Sequence, residues 1–222
     1  MIYAMSEQAQ AAQQRHWRRG LMSTSRVEAF SDGVFAIAIT LLILEIRLPG
    51  STAGLTDARL RAELLGLWPS YLAYAISFLL IGMVWINHHR MFRYIERVDG
   101  VLLGLNVLLL MDVAFLPFST DVLAQSLRGT SAEHTAAAFY GLVLAVGGVF
   151  YNALWLYASY GHRLLGEHIT PREARALGLR WSLGPLFYLV AAGVGLINAV
   201  ASLGCYVLLL VFYFFDLRPR RP

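Results

Sequence analysis

Long apolar runs separated by short arginine-bearing segments dominate the chain. A hydrocarbon core of ~30 Å needs about 20 mainly apolar helical residues to cross it. By that ruler the pattern predicts an all-α fold with six spans, at roughly 28–48, 64–93, 100–124, 135–162, 177–198 and 200–216. Pro49-Gly50 ends the first, and Pro69 falls in the opening turns of the second, where proline is tolerated. The last two join through Asn198-Ala199 with no charge between them, so pattern alone also admits five spans with one long broken helix.

Composition places these runs in a membrane. Of the 222 residues 58% are hydrophobic and only 14% charged, against ~25% charged in an ordinary soluble domain. The formal net charge is +4 and all eighteen basic residues are arginine. They form no dense basic tract of the kind that binds nucleic acid, and sit instead at the ends of the apolar runs. Fourteen fall on one side of the predicted membrane and four (Arg47, Arg59, Arg61 and Arg128) on the other. The excess marks the cytoplasmic face, with both termini inside, and an even number of spans favours six. Residues 1–25 then read as a cytoplasmic tail with no signal-peptide core and with Met22 as an alternative start. Residues 26–217 form the membrane domain and 218–222 a short cytoplasmic tail. The single Cys205 excludes an internal disulfide framework. No internal repeat is visible.

The first span has two unlike sides. At ~100° per residue, Ile37, Thr40, Leu41 and Leu44 share one stripe, while Glu28, Ser31 and Asp32 lie opposite. Charged groups in a spanning helix are costly and turn inward to partners or water. Ser31 and Asp32 should therefore face other helices of the same subunit, leaving the aliphatic stripe for lipid, another subunit or a pore axis. Trp85, His88 and Arg90, at the end of the second span, carry suitable donors for a carboxylate. They would serve equally as an interfacial anchor. Glu45 lies near the far end of the first span, as a ring at a pore mouth or a local partner of Arg47 or Arg59. Asp112, deep in the third span, is protonated or paired within the subunit on this reading.

An intramembrane enzyme is disfavoured. Adjacent His88 and His89 would point ~100° apart on a helix, and neither H-E-x-x-H nor G-x-S-x-G occurs. A proton-coupled transporter using Asp32 or Asp112 is the alternative, though the paired Gly/Pro-broken helices of such folds are absent.

Arg26-Val-Glu-Ala-Phe30-Ser31-Asp32 resembles the R-x-x-x-F-S-D signature that opens the first helix of the transmembrane protein 175 family. Trp85-Ile-Asn-His88 is similar to its second-helix W-x-x-H pattern, and Leu116-Pro117-Phe118 to its Leu-Pro-Phe segment. The resemblance implies a potassium-permeable channel: a homotetramer of six-helix subunits in which the first helix lines a central pore. There is no carbonyl filter; apolar rings would narrow the pore at Ile37, Leu41 and Leu44, with Thr40 implicated in ion discrimination. It also implies a hydrogen-bonded network of Arg26, Ser31, Asp32, Trp85 and His88 that holds this helix without touching the ion. Conduction would be passive and modestly potassium-selective, with no cofactor or resident metal. The chain's length fits a prokaryotic plasma-membrane member. Because imidazole titrates in the physiological range, gating is expected to be pH-sensitive if His88 and His89 join that network. Currents recorded from a His88→Ala channel should then lose the wild-type pH dependence.

Overall fold

The computed structural model describes residues 24–48, 54–127 and 131–216, with side chains through 212. The tail residues 1–23 and 218–222, Pro49-Gly50, Met22 and Arg128 lie outside the described residues. Within these limits the chain is all helix: α1 Thr24–Leu41, α2 Asp57–Gly66, α3 Trp68–Phe92, α4 Gly100–Ser126, α5 Glu133–Ser159, α6 Pro171–Gly195 and α7 Ala199–Asp216. Short 3-10 turns extend α1 over Leu42–Glu45 and α5 over Tyr160–His162. Five of these are long and apolar enough to cross a membrane: α1 with its extension, α3, α4, α5 with its extension, and α6. The described apolar part of α7, Ala199–Phe212, is shorter.

Helix ends follow local chemistry rather than hydropathy. The second predicted span is two helices, because the chain breaks at Leu67 and α3 restarts with Pro69 in its first turn. Proline has no N–H to donate and is pre-set for that position. The segment ahead of it, α2, is capped by Thr56 and buries none of its side chains. The predicted fifth span begins six residues too late. The real start is a capping box, in which Thr170 accepts from the Glu173 backbone N–H while Glu173 reaches back to the Thr170 backbone. An apolarity ruler passes over that first turn because it reads Pro-Arg-Glu-Ala-Arg. Likewise α1 begins at Thr24, inside the segment read as tail. The last two helices are separate, and Asn198 Oδ1 caps α7 by accepting from Ala201 N–H at 2.9 Å.

Packing runs through buried hydroxyls and small residues. The Ser77 hydroxyl of α3 bonds those of Thr120 of α4 and Tyr140 of α5, both at 2.8 Å. Inside α4, Pro117 breaks the ladder, and the Ser119 and Thr120 hydroxyls both donate to the Leu116 carbonyl. The Trp155 indole of α5 donates to the Ala174 carbonyl of α6 at 3.1 Å. Ser202 and Tyr206 of α7 donate to the carbonyls of Ala191 and Ala137 at 2.8 and 3.0 Å. In a medium without water each such donor needs a protein acceptor. The α3–α4 and α5–α6 connections meet at one end of the bundle. There Gly166 N–H donates to Tyr94 O at 2.9 Å and Glu96 N–H to Leu164 O at 3.0 Å. The arginine-bearing connections thus share one end.

Gly195 lies where α6 meets α5: a Cβ built there falls 2.9 Å from the backbone nitrogen of Ala138. Gly193, two residues earlier on the same helix, would meet nothing within 4 Å. Gly195→Ala should destabilise by about 1–3 kcal/mol through overpacking against unyielding backbone. Gly193→Ala should stabilise by about 0.5–1 kcal/mol through helix propensity. Thermal unfolding in detergent reads both signs.

Candidate functional site at the head of the first helix

Val27, Ser31, Phe35, Ala38 and Leu42 are buried, and their spacing of three and four residues puts them on a single side of α1 and its extension. This side packs against α3 and α4. Ser31 sits at its centre, fully buried. Its hydroxyl donates to the Val27 carbonyl at 2.8 Å. That uses its only proton, so toward Asn106 of α4 it must accept, and Asn106 Nδ2 donates to it at 3.0 Å. The Asn106 amide is thereby oriented with Oδ1 toward His88 Nε2, 2.9 Å away. An amide oxygen only accepts, so His88 carries its proton on Nε2. The imidazole is wedged between the rings of Phe35 and Phe92, with centroids 5.4 and 4.6 Å away. The result is one directed chain, His88 to Asn106 to Ser31 to Val27, tying α3, α4 and α1 together.

A second contact lies beside it and nearer the surface. The Trp85 indole N–H donates to Asp32 Oδ1 at 2.8 Å. The His89 ring stacks on that of Trp85 at 6.3 Å, and its Nδ1 is 3.9 Å from a Glu28 oxygen. His88 and His89 therefore serve different partners. Arg26 is exposed and makes no contact with this cluster among the described residues.

The stripe expected from the wheel lies on the open side of α1. Ile37, Leu41 and Leu44 are 61%, 41% and 57% exposed. Thr40 is also exposed, with its hydroxyl 3.0 and 2.9 Å from the carbonyl oxygens of Ala36 and Ile37. Its proton is committed to its own helix, so the oxygen presents only lone pairs outward. Glu45 is 3.8 Å from Arg47, while Arg59 pairs with Glu63 at 3.3 Å. Asp112 takes no part in the α1 cluster; it faces Gly147 of α5.

Sequence reasoning missed Asn106, which links the other two buried polar groups. Its signal was present: a lone amide in the apolar run Val101–Met111. A polar side chain in such a run needs a partner, although the run does not say which.

The fold and this anchored first helix define a class, the polytopic α-helical membrane protein with a polar lock at one end of α1 and an open aliphatic face beyond it. Residues 26–117 match the family described as "Endosomal/lysosomal potassium channel TMEM175". A protein named as a potassium channel in Streptomyces collinus is 44% identical over 198 residues, covering 88% of this chain and 94% of that one. The zebrafish endosomal/lysosomal proton channel TMEM175 is 35% identical over 192 residues, which are 82% of this chain but 36% of that longer protein. Among solved structures, a lysosomal potassium-selective channel TMEM175 homolog from Chamaesiphon minutus superposes with a TM-score of 0.77 at 38% identity, covering 87% of this chain and 97% of that one. The chain belongs to the TMEM175 family.

Removing Asn106 leaves the buried His88 without its acceptor and takes from Ser31 its donor, though not its bond to Val27, whereas removing Ser31 leaves Asn106 with one partner. Asn106→Leu should therefore destabilise by about 1–3 kcal/mol and more than Ser31→Ala does. Paired thermal melts of the two variants check the order.

Proposed function

We propose that the chain is a potassium-permeable cation channel. Each subunit contributes six spans (α1 and α3–α7), four subunits surround a central axis, and α1 lines the pore. The observation that carries this reading is the division of α1. One side is locked to α3 and α4 through Ser31 and Asp32, while the opposite stripe of Ile37, Thr40, Leu41 and Leu44 is open. In a family whose bacterial relatives are named potassium channels, that stripe is best used as a pore wall. The membrane is the cell's plasma membrane, with the arginine-rich end and both termini cytoplasmic.

The pore narrows at Ile37, with Leu41 and Leu44 as further apolar rings. Aliphatic side chains offer a cation nothing in place of its hydration shell, so a tight ring of them excludes both water and ion. Slight rotation or outward tilt of α1 rewets the ring and lets the ion pass down its gradient. Thr40 supplies the polar contact: with their protons held by backbone carbonyls, four hydroxyl oxygens turn lone pairs toward the axis. Potassium dehydrates more readily than sodium, which sets the direction of a modest preference. In this scheme Ser31, Asp32, Trp85 and His88, with Asn106 as their link to α4, set the angle of α1 and remain off the ion path.

Potassium flux into liposomes, with wild type and Ile37→Asn measured side by side, tests the reading. The amide should wet the constriction, raising flux or lowering the preference for potassium over sodium. If neither protein passes either cation while both remain folded oligomers, the pore assignment fails. Potassium uptake that requires a proton gradient would favour the coupled transporter instead.

A further inference from the structure

Asp112 is left unused by the channel scheme. It lies midway along α4 and is only 9% exposed. Among the described residues its carboxylate has no hydrogen-bond or ion-pair partner. A charge at that depth is expensive unless something neutralises it. Every other buried polar side chain of the bundle described above has found an acceptor or donor, which makes this exception informative.

The carboxylate borders a cavity of about 70 Å³ framed by α3, α4, α5 and α6. Glycines keep it open. A Cβ at Gly147 would collide with Asp112 Oδ2, and one at Gly148 would come within 2.8 Å of Pro185 Cγ. Two polar groups on its wall have spent protons elsewhere. Tyr151 donates its hydroxyl to the Asn87 carbonyl at 2.9 Å. Asn152 Nδ2 donates to the carbonyls of Gly148 and Trp181 at 2.7 and 3.1 Å. Asp112 presents an unpaired carboxylate to this space, which an occupant bringing donors and positive charge would neutralise.

The rest of the wall is largely hydrocarbon and aromatic, including Val84, Val113, Leu144, Pro185 and Trp181. A bare alkali ion would leave most of its coordination shell facing that wall. An ammonium group on a short alkyl chain matches both halves: its N–H donors meet the carboxylate and its carbons meet the apolar side. At about 70 Å³ the cavity is small, which favours a short hydrocarbon body over a bulky one. We propose that this cavity binds a small alkylammonium ion, with its charge on Asp112 and its hydrocarbon against Val113, Leu144 and Pro185. The site lies within one subunit, off the α1 stripe, and does not depend on the channel reading.

The purified full-length protein in detergent at pH 8 provides the test. Thermal unfolding is followed with n-propylammonium chloride, with sodium or potassium chloride at equal ionic strength, and with tetrabutylammonium chloride. Propylammonium should raise Tm saturably by about 2–4 °C, while the alkali salts and the bulky ion should not. Asp112→Asn, which keeps the shape and removes the charge, should abolish the shift. Leu144→Phe, which fills the cavity with Asp112 in place, should abolish it too. The proposal is overturned if propylammonium acts no differently from sodium or potassium, or if tetrabutylammonium works equally well. It is overturned as well if either variant retains the full shift, or if wild type and Asp112→Asn differ only in their response to pH.

Discussion

The arrangement of this protein rests on the need to satisfy polar groups in a medium that supplies no water. At the head of α1 that need produces a chain of donors in which each proton has one destination: His88 to Asn106, Asn106 to Ser31, and Ser31 to the Val27 carbonyl. Such a chain is directional, so it fixes the imidazole tautomer and the amide orientation together. It also fixes the rotation of α1. Turning the helix by one residue, ~100°, would take Ser31 off Asn106 and bury a different set of side chains. The outward position of Ile37, Leu41 and Leu44 is therefore a consequence of where Ser31 finds its partner.

The rest of the bundle solves the same problem with short side chains. Hydroxyls of Ser77, Thr120, Tyr140, Ser202 and Tyr206 bond across helix contacts or back to carbonyls, and Gly195 lets α6 approach the backbone of α5. Small residues are favoured where helices must meet without a hydrophobic drive between them. Asp112 departs from this solution because it borders a cavity and, among the described residues, no donor bonds its carboxylate. The contrast with Asp32, which has the Trp85 indole at 2.8 Å, shows that a carboxylate in a spanning helix can serve quite different ends according to its neighbours.

Thr40 combines these constraints on the open side of α1. Bonding back to the carbonyls of Ala36 and Ile37 mildly weakens a helix ladder, and α1 passes into a 3-10 turn directly afterwards, at Leu42. The same bond orients the hydroxyl oxygen. Local helix geometry and the polarity offered to the exterior are thus set by one contact.

From sequence alone, apolar run length located the long spans, arginine placement separated the two ends, and the wheel opposed Ser31 and Asp32 to the aliphatic stripe. Those features are legible because each depends on a residue's own chemistry and its place in a 3.6-residue period. Tertiary structure decided the remainder: Asn106 as the link between Ser31 and His88, and the glycine-bounded cavity facing Asp112. Both depend on which face of one helix meets which face of another, at what height. Hydrophobic periodicity records that a face is buried, and carries no address for the residue that buries it.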